Sequence, residues 1–282
     1  MQVYTLKAFG KTSEGGNPAG VVLIADNMTD EEMQSVATKV GYSETAFISR
    51  SQKANYRVRF FTPTEEVDLC GHATIATFFL LRYLNIIKKG TFKQETNAGI
   101  LNIKVDDRKV FMEQPSPVFG DILDKDQIAE TLNISANDIV EDLPIQIVST
   151  GLRDIIIPIK TLDILHAIKP NFEAIAKLCK RHRAVSYHLF TTESMKGGDA
   201  HCRNLSPLVG IDEEAATGSA AGALACYMNN YGLTTIPKKL AFEQGYIMKK
   251  PSEIQVELSL KASGKIKVMV GGTAEDIEIM TI

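Results

Sequence analysis

Two stretches of the chain gather residue types that bind anions and move protons. The first runs from Arg59 to Tyr83. A strand-like Arg59–Thr62 stops at Pro63, and the acids Glu65, Glu66 and Asp68 follow. Cys70-Gly71-His72-Ala73-Thr74 then opens a run that is apolar almost all round: Ile75, Ala76, Phe78, Phe79, Leu80, Leu81, Leu84. A helix starting at this glycine presents unpaired backbone N–H groups and the positive end of its dipole. Gly71 lets a ligand come close to that backbone, and His72 stands beside it. The chemistry this supports is binding of a carboxylate or phosphate.

The second stretch has the same order. Arg203-Asn204-Leu205-Ser206-Pro207 is followed by Asp212, Glu213 and Glu214, then Ala216-Thr217-Gly218-Ser219-Ala220 and an apolar run through Met228. Both read Arg-x-(Phe/Leu)-(Thr/Ser)-Pro, acids, glycine, helix. The two arginines are 144 residues apart and the two glycines 147, about half of the 282-residue chain. Such spacing predicts two pseudo-equivalent halves, the alternative being chance repetition of a short pattern. A third position, Glu44, falls at a helix-to-strand junction between Ser43 and Thr45. The residues alone leave it open as a surface carboxylate or a base. A metal reading of Cys179-x-x-His182 with His201-Cys202 competes, but the Lys180-Arg181-His182-Arg183 setting repels cations.

The elements that must position these residues are mostly strands. Gln2–Ala8 alternates; Thr12–Gly20 reads as loop and Val21–Ala25 as a short buried strand. Thr29-Asp30-Glu31-Glu32 is a capping box that starts a helix ending at Gly41. Strands are expected over Glu44–Ile48 and Tyr56–Thr62, and between Gly90 and Val118. Short helices are expected over Asp124–Leu132 and Ser135–Val140, with Pro115-Ser116-Pro117 closing the first half. Strands and helices do not alternate strictly, which argues against a Rossmann sheet. Two apolar helices need protein around them, and a curled sheet around each is an economical solution.

Hydrophobic content of 44% and charged content of 23% are those of a globular protein. A net charge of −3 gives no basic field for nucleic acid. No apolar run reaches membrane-spanning length, the amino-terminal residues carry no secretory pattern, and the four scattered cysteines fit free thiols in a reducing cytoplasm.

Four motifs in order, Gly16-Asn17-Pro18-Ala19-Gly20-Val21, Ser43-Glu44-Thr45-Ala46-Phe47, Arg59–Pro63 with Cys70–Thr74, and Arg203–Pro207 with Ala216–Ala220, resemble the PhzF phenazine-biosynthesis isomerase family of the diaminopimelate epimerase superfamily. The resemblance covers almost the whole chain. It implies an α+β fold of two pseudo-symmetric domains, each a β-barrel-like sheet wrapped around a central helix. The expected boundaries are 1–117 and 118–271, with the last strand, about 272–282, able to return to the first domain. It implies a homodimer and an active site in the cleft between the domains. The implied function is an isomerase that shifts a proton on a small carboxylate-bearing metabolite without metal or other cofactor, with Glu44 as general acid and base. The substrate-binding set expected is His72, Gly71, Ala73 and Asn17, with Glu214, Thr217, Gly218 and Ser219. Glu214-Ala215 stands where the family commonly has Asp-Pro, which leaves the substrate open. Diaminopimelate epimerases use two cysteines as acid and base. Here Cys70 matches the first and Thr217 replaces the second, so two-thiol racemisation is disfavoured, a hydroxyl being far too weak an acid. A racemase of the same superfamily and a non-catalytic small-acid binding protein are the alternatives.

Overall fold

The computed structural model describes residues 1–282. The chain divides into two compact units, Met1–Glu113 with Gly271–Ile282, and Gln114–Val270.

In the first unit the elements are β1 (Gln2–Ala8), β2 (Asn17–Val22), α1 (Asp30–Val40), β3 (Glu44–Ser49), β4 (Tyr56–Phe61), β5 (Glu66–Val67), α2 (Gly71–Tyr83), β6 (Gly90–Thr96), β7 (Gly99–Val105) and β8 (Val110–Gln114). Strand β1 pairs antiparallel with β2, β2 runs parallel to β3, and β3 pairs antiparallel with β4. Strand β4 then takes β5 antiparallel at one end and β6 parallel at the other, and β6–β7–β8 is an antiparallel meander. The sheet curls over α2 without closing; α2 packs on β1, β2, β3 and β7. Nine of the thirteen α2 residues are buried, which explains a helix with no polar face. Helix α1 covers the other side of the sheet, with Met33, Val36, Ala37 and Val40 against Val3, Val22, Phe47 and Phe61.

The second unit has β9 (Val118–Ile122), α3 (Lys125–Leu132), β10 (Gln146–Ser149), β11 (Arg153–Pro158), α4 (Leu162–Ala167), α5 (Phe172–His182), β12 (Ser186–Thr191), β13 (Ala200–Ser206), β14 (Ile211–Glu214), α6 (Gly218–Asn230), β15 (Lys238–Gln244), β16 (Ser252–Leu260) and the start of β17 (Ile266–Gly272). The final strand β18 (Ala274–Thr281) belongs to the first unit and pairs antiparallel with β1. The pairing scheme repeats that of the first unit. An antiparallel pair (β10–β11) leads to a helix-linked parallel pair (β11–β12). Next come an antiparallel pair (β12–β13), a short acidic strand on β13, the central helix, and a parallel return (β13–β15). Both central helices run 13 residues from the glycine of their motif.

Three local expectations need correction. The segment around Asn17-Pro18-Ala19-Gly20 is strand, not loop, and it ends at Val22 rather than Ala25. Its small residues are packing choices: a Cβ on Gly20 would lie 2.8 Å from Thr45 Oγ1. Ser135–Val140 forms only a three-residue 3₁₀ turn, Ala136–Asp138, capped by Ser135. The acidic runs after both proline turns carry the short strands β5 and β14, which have no apolar alternation to announce them.

Candidate active site

Helix ends show where backbone donors are held in reserve. Four peripheral helices are capped by a side chain: α1 by Thr29, α3 by Asp124, α4 by Thr161 and α5 by Asn171. The two central helices are not. Cys70 before α2 and Thr217 before α6 make no side-chain cap, and neither first turn holds an acid. The first N–H groups of each helix have no partner within that helix, and the positive end of its dipole lies there.

Around the start of α2, the structure brings Asn17, Glu44 and His72 together. Asn17 begins β2 and Glu44 begins β3, directly after the left-handed cap Gly41 of α1 (φ 70°). His72 is buried as the second residue of α2. Its Nδ1 lies 3.4 Å from Asn17 Nδ2 and 3.4 Å from Cys70 Sγ. With the Asn17 amide donating to Nδ1, the ring carries its proton on Nε2. That nitrogen faces Glu44 Oε2 at 3.3 Å and Ser43 Oγ at 3.4 Å. Glu44 Oε2 is itself buried, and its contact with His72 falls outside hydrogen-bond geometry. Gly71 opens the helix beside this group. A Cβ there would meet only the Met112 methyl, at 3.8 Å, so protein packing does not demand glycine. Ala73 is fully buried in the same first turn.

Glu214, Thr217, Gly218 and Ser219 form a group of their own at the start of α6. Thr217 Oγ1 donates to Glu214 Oε2 at 2.6 Å. Gln244, buried on β15, holds this turn three ways. Its Oε1 accepts from Thr217 N (3.2 Å), and its Nε2 donates to Glu214 O (2.8 Å) and Thr217 Oγ1 (3.0 Å). The carbonyls of Gly218 and Ser219 accept from Gln114 Nε2 and Thr150 Oγ1. The Thr217 hydroxyl, which could have capped α6, is thus committed to the turn.

The motif arginines are structural. Arg59 grips Glu66 with two bonds, at 2.6 and 2.7 Å, and Arg203 grips Glu213 with two at 2.9 Å. Arg203 also donates to the carbonyls of Leu165 and Ile168 at the end of α4. The arginine hydrogen bonds hold the Glu66 carboxyl below its ordinary range.

The cysteine–histidine set weighed as a metal centre is otherwise engaged. Cys179 is part of an apolar core, and burial pushes its thiol up to about 12. His201 Nδ1 bonds Glu243 at 2.9 Å, and its Nε2 meets His166 Nε2 at 3.0 Å. Burial raises the Glu243 carboxyl, but donors from Met195, His201, Lys196 and Gly198 more than offset it and hold it below the ordinary value. The group that does offer three mixed donors is Glu44, Cys70 and His72, all within 4.8 Å of one another. Reading the sequence did not place Cys70, Ser43 or Gln244 at the site. Ser43 and Cys70 lie inside the motifs, whereas Gln244 arrives through the β13–β15 pairing and has no local signal.

Comparison with known proteins agrees with this architecture. The family model described as phenazine biosynthesis-like protein matches residues 6–278. An uncharacterized isomerase of Bacillus subtilis, YfhB, is 37% identical over 97% of this chain and 95% of its own length. The crystal structure of a Bacillus anthracis phenazine biosynthesis protein of the PhzF family superposes with a TM-score of 0.92 at 34% identity, covering 100% of this chain and 99% of that one. A probable proline racemase from Agrobacterium radiobacter shares the fold, with a TM-score of 0.65 at 11% identity over 100% of this chain and 92% of that one. The α+β fold expected from the motifs, of the diaminopimelate epimerase type, is the one observed. With a matching model over nearly its whole length, the chain belongs to the phenazine biosynthesis-like protein family.

Proposed function

We propose that the protein is an isomerase that shifts a proton on a small carboxylate-bearing metabolite, with Glu44 as the single acid and base and no cofactor. The observation that carries this is the buried Glu44 Oε2, which accepts no hydrogen bond and lies 3.3 Å from His72 Nε2. In this reading Glu44 takes a proton from a carbon made acidic by a neighbouring carboxylate or imine. The electron pair moves into the conjugated system, and Glu44, whose carboxyl proton exchanges with solvent, returns a proton to another carbon. Mass and charge balance without an outside oxidant or reductant. A positioned carboxylate of this kind contributes about 10²–10⁴-fold.

The developing negative charge needs preorganised donors. The uncapped N–H groups of Gly71, His72 and Ala73 are the ones beside Glu44, with Asn17 fixing the His72 ring. In the second unit the start of α6 carries backbone donors of the same kind at Gly218 and Ser219, beside Glu214 and Thr217. The relatives named as isomerases support the reaction class. The test is exchange: a panel of small carboxylic acids is incubated with the protein in D₂O and read by mass spectrometry. Deuterium uptake that disappears in Glu44→Gln supports the assignment.

One observation favours a second reading, a thiol-dependent racemase: Cys70 Sγ lies 3.4 Å from His72 Nδ1. Under that reading Cys70→Ser, and not Glu44→Gln, is the variant that abolishes exchange.

A further inference from the structure

Gln244 is 1% exposed and ends β15, whose parallel pairing with β13 sets it opposite Cys202. Its three bonds to the turn before α6 fix the direction of each hydrogen bond there. Oε1 accepts from Thr217 N, and Nε2 donates to Glu214 O and to Thr217 Oγ1. Turned over, the amide would set its NH₂ against an N–H and its oxygen against a carbonyl, so one orientation alone satisfies the turn. Because Thr217 Oγ1 accepts from Gln244, its own proton goes to Glu214 Oε2, at 2.6 Å. Helix α6 is left without a side-chain cap.

The fold does not require this clamp. In the first unit the matching place, one step beyond the Arg57–Glu95 pair of β4 and β6, is Thr96, whose hydroxyl donates across its own hairpin to Gly99 O. A second buried group points to a ligand at this corner. Asp154, 1% exposed, leaves Oδ2 without a partner. The cross-strand pairs Asp154–Ser186, His188–Asn204 and Asn204–Glu214 put it on the same face of the sheet as Glu214.

We propose that Gln244 is the positioning residue of the α6 group: it turns the Thr217 hydroxyl toward Glu214 and away from the helix, and so keeps the first N–H groups of α6 open to a carboxylate. That a substrate carboxylate is the occupant rests on the isomerase reading. Threonine is a good N-cap, and Thr29 and Thr161 cap α1 and α4 with the same side chain. Without Gln244 nothing directs the Thr217 oxygen, and it accepts from α6 as theirs do from their own helices. A ligand then has to displace that bond. Both N–H bonds of the Gln244 amide are committed to the turn, so it acts through Thr217 and Glu214 rather than on a ligand.

The experiment is calorimetric binding of a panel of small carboxylic acids to the full chain, in the unsubstituted protein, Gln244→Met, Thr217→Val and the double variant. Gln244→Met keeps the length of the side chain and removes all three bonds. It is expected to weaken the bound acid about fivefold to tenfold, the strength of an N-cap that the acid must displace. In the Thr217→Val background, where no hydroxyl remains to cap, Gln244→Met is expected to change affinity less than about twofold. A merely structural role gives the same loss in both backgrounds, and that result overturns the proposal. So does an unsubstituted chain that binds none of the acids. Gln244→Asn, whose amide falls one methylene short of the turn, is the second variant should Gln244→Met not fold. Binding that follows the expected pattern without deuterium exchange sinks the isomerase reading alone. Exchange that needs Glu44, with equal losses in both backgrounds, sinks the clamp alone.

Discussion

Glu44 and Asp154 show how burial can be used in two ways at the level of single residues. Glu44 keeps one oxygen without a donor in a polar cluster. Asp154 is wholly buried on β11, where desolvation pushes its carboxyl up to about 7. Ser186 Oγ donates to Asp154 Oδ1 at 2.7 Å, and His188 Nδ1 meets Asn204 Oδ1 at 3.1 Å. His188 stays neutral, with burial lowering it to about 4. A carboxyl raised in the fold stabilises most below its unfolded value, and that contribution is lost as pH climbs toward the folded value. For Asp154 the loss runs from about pH 4 to pH 7. Asp154→Asn keeps the size of the side chain and cannot ionise. Its thermal midpoint relative to the unsubstituted protein is therefore expected to be higher at pH 8 than at pH 5, as scanning calorimetry at the two pH values would show. An equal difference at both would contradict a neutral Asp154.

At the scale of elements, the contrast between capped and uncapped helices separates scaffold from site. Thr29 and Glu32 of α1 bond each other's backbone N–H, at 3.2 and 2.9 Å. Thr29→Ala removes that cap and is expected to cost about 1 kcal/mol, measured as a lower denaturant midpoint with the exchange rate unchanged. The capping box and the Gly41 stop were legible in the sequence because their residue types have one local explanation. The central helices were legible for the opposite reason, since an all-apolar run of that length has to be enclosed. Strands β5 and β14 were not legible: they are acidic segments held by pairing with β4 and β13. Asn17–Gly20 misled because Gly, Asn and Pro spell a turn locally. Here the strand register opposite β1 and the close approach of Thr45 select the same small residues.

At the scale of the whole molecule, the repeat is topological more than sequential. Each unit builds parallel and antiparallel pairs in the same order around a 13-residue helix, and only the arginine, proline and glycine landmarks keep that order visible in the amino acids. Clustering of Asn17, Glu44 and His72 follows from where β2, β3 and α2 begin, and motif positions alone suggest it. The Gln244 contacts could not be read, because they depend on a strand returning from far along the chain. The family resemblance implies a homodimer; sedimentation at micromolar concentration is expected to give twice the 31.0 kDa chain mass, and a monomer mass would contradict it. The most direct test of the account is Glu44→Gln, which keeps the size of the side chain and its capacity to hydrogen-bond but removes the base. Deuterium exchange into a turned-over carboxylic acid is expected to fall about 10²-fold or more while binding of that acid, measured by calorimetry, is retained. Exchange at an undiminished rate in Glu44→Gln would contradict the assignment of Glu44 as the proton-transfer group.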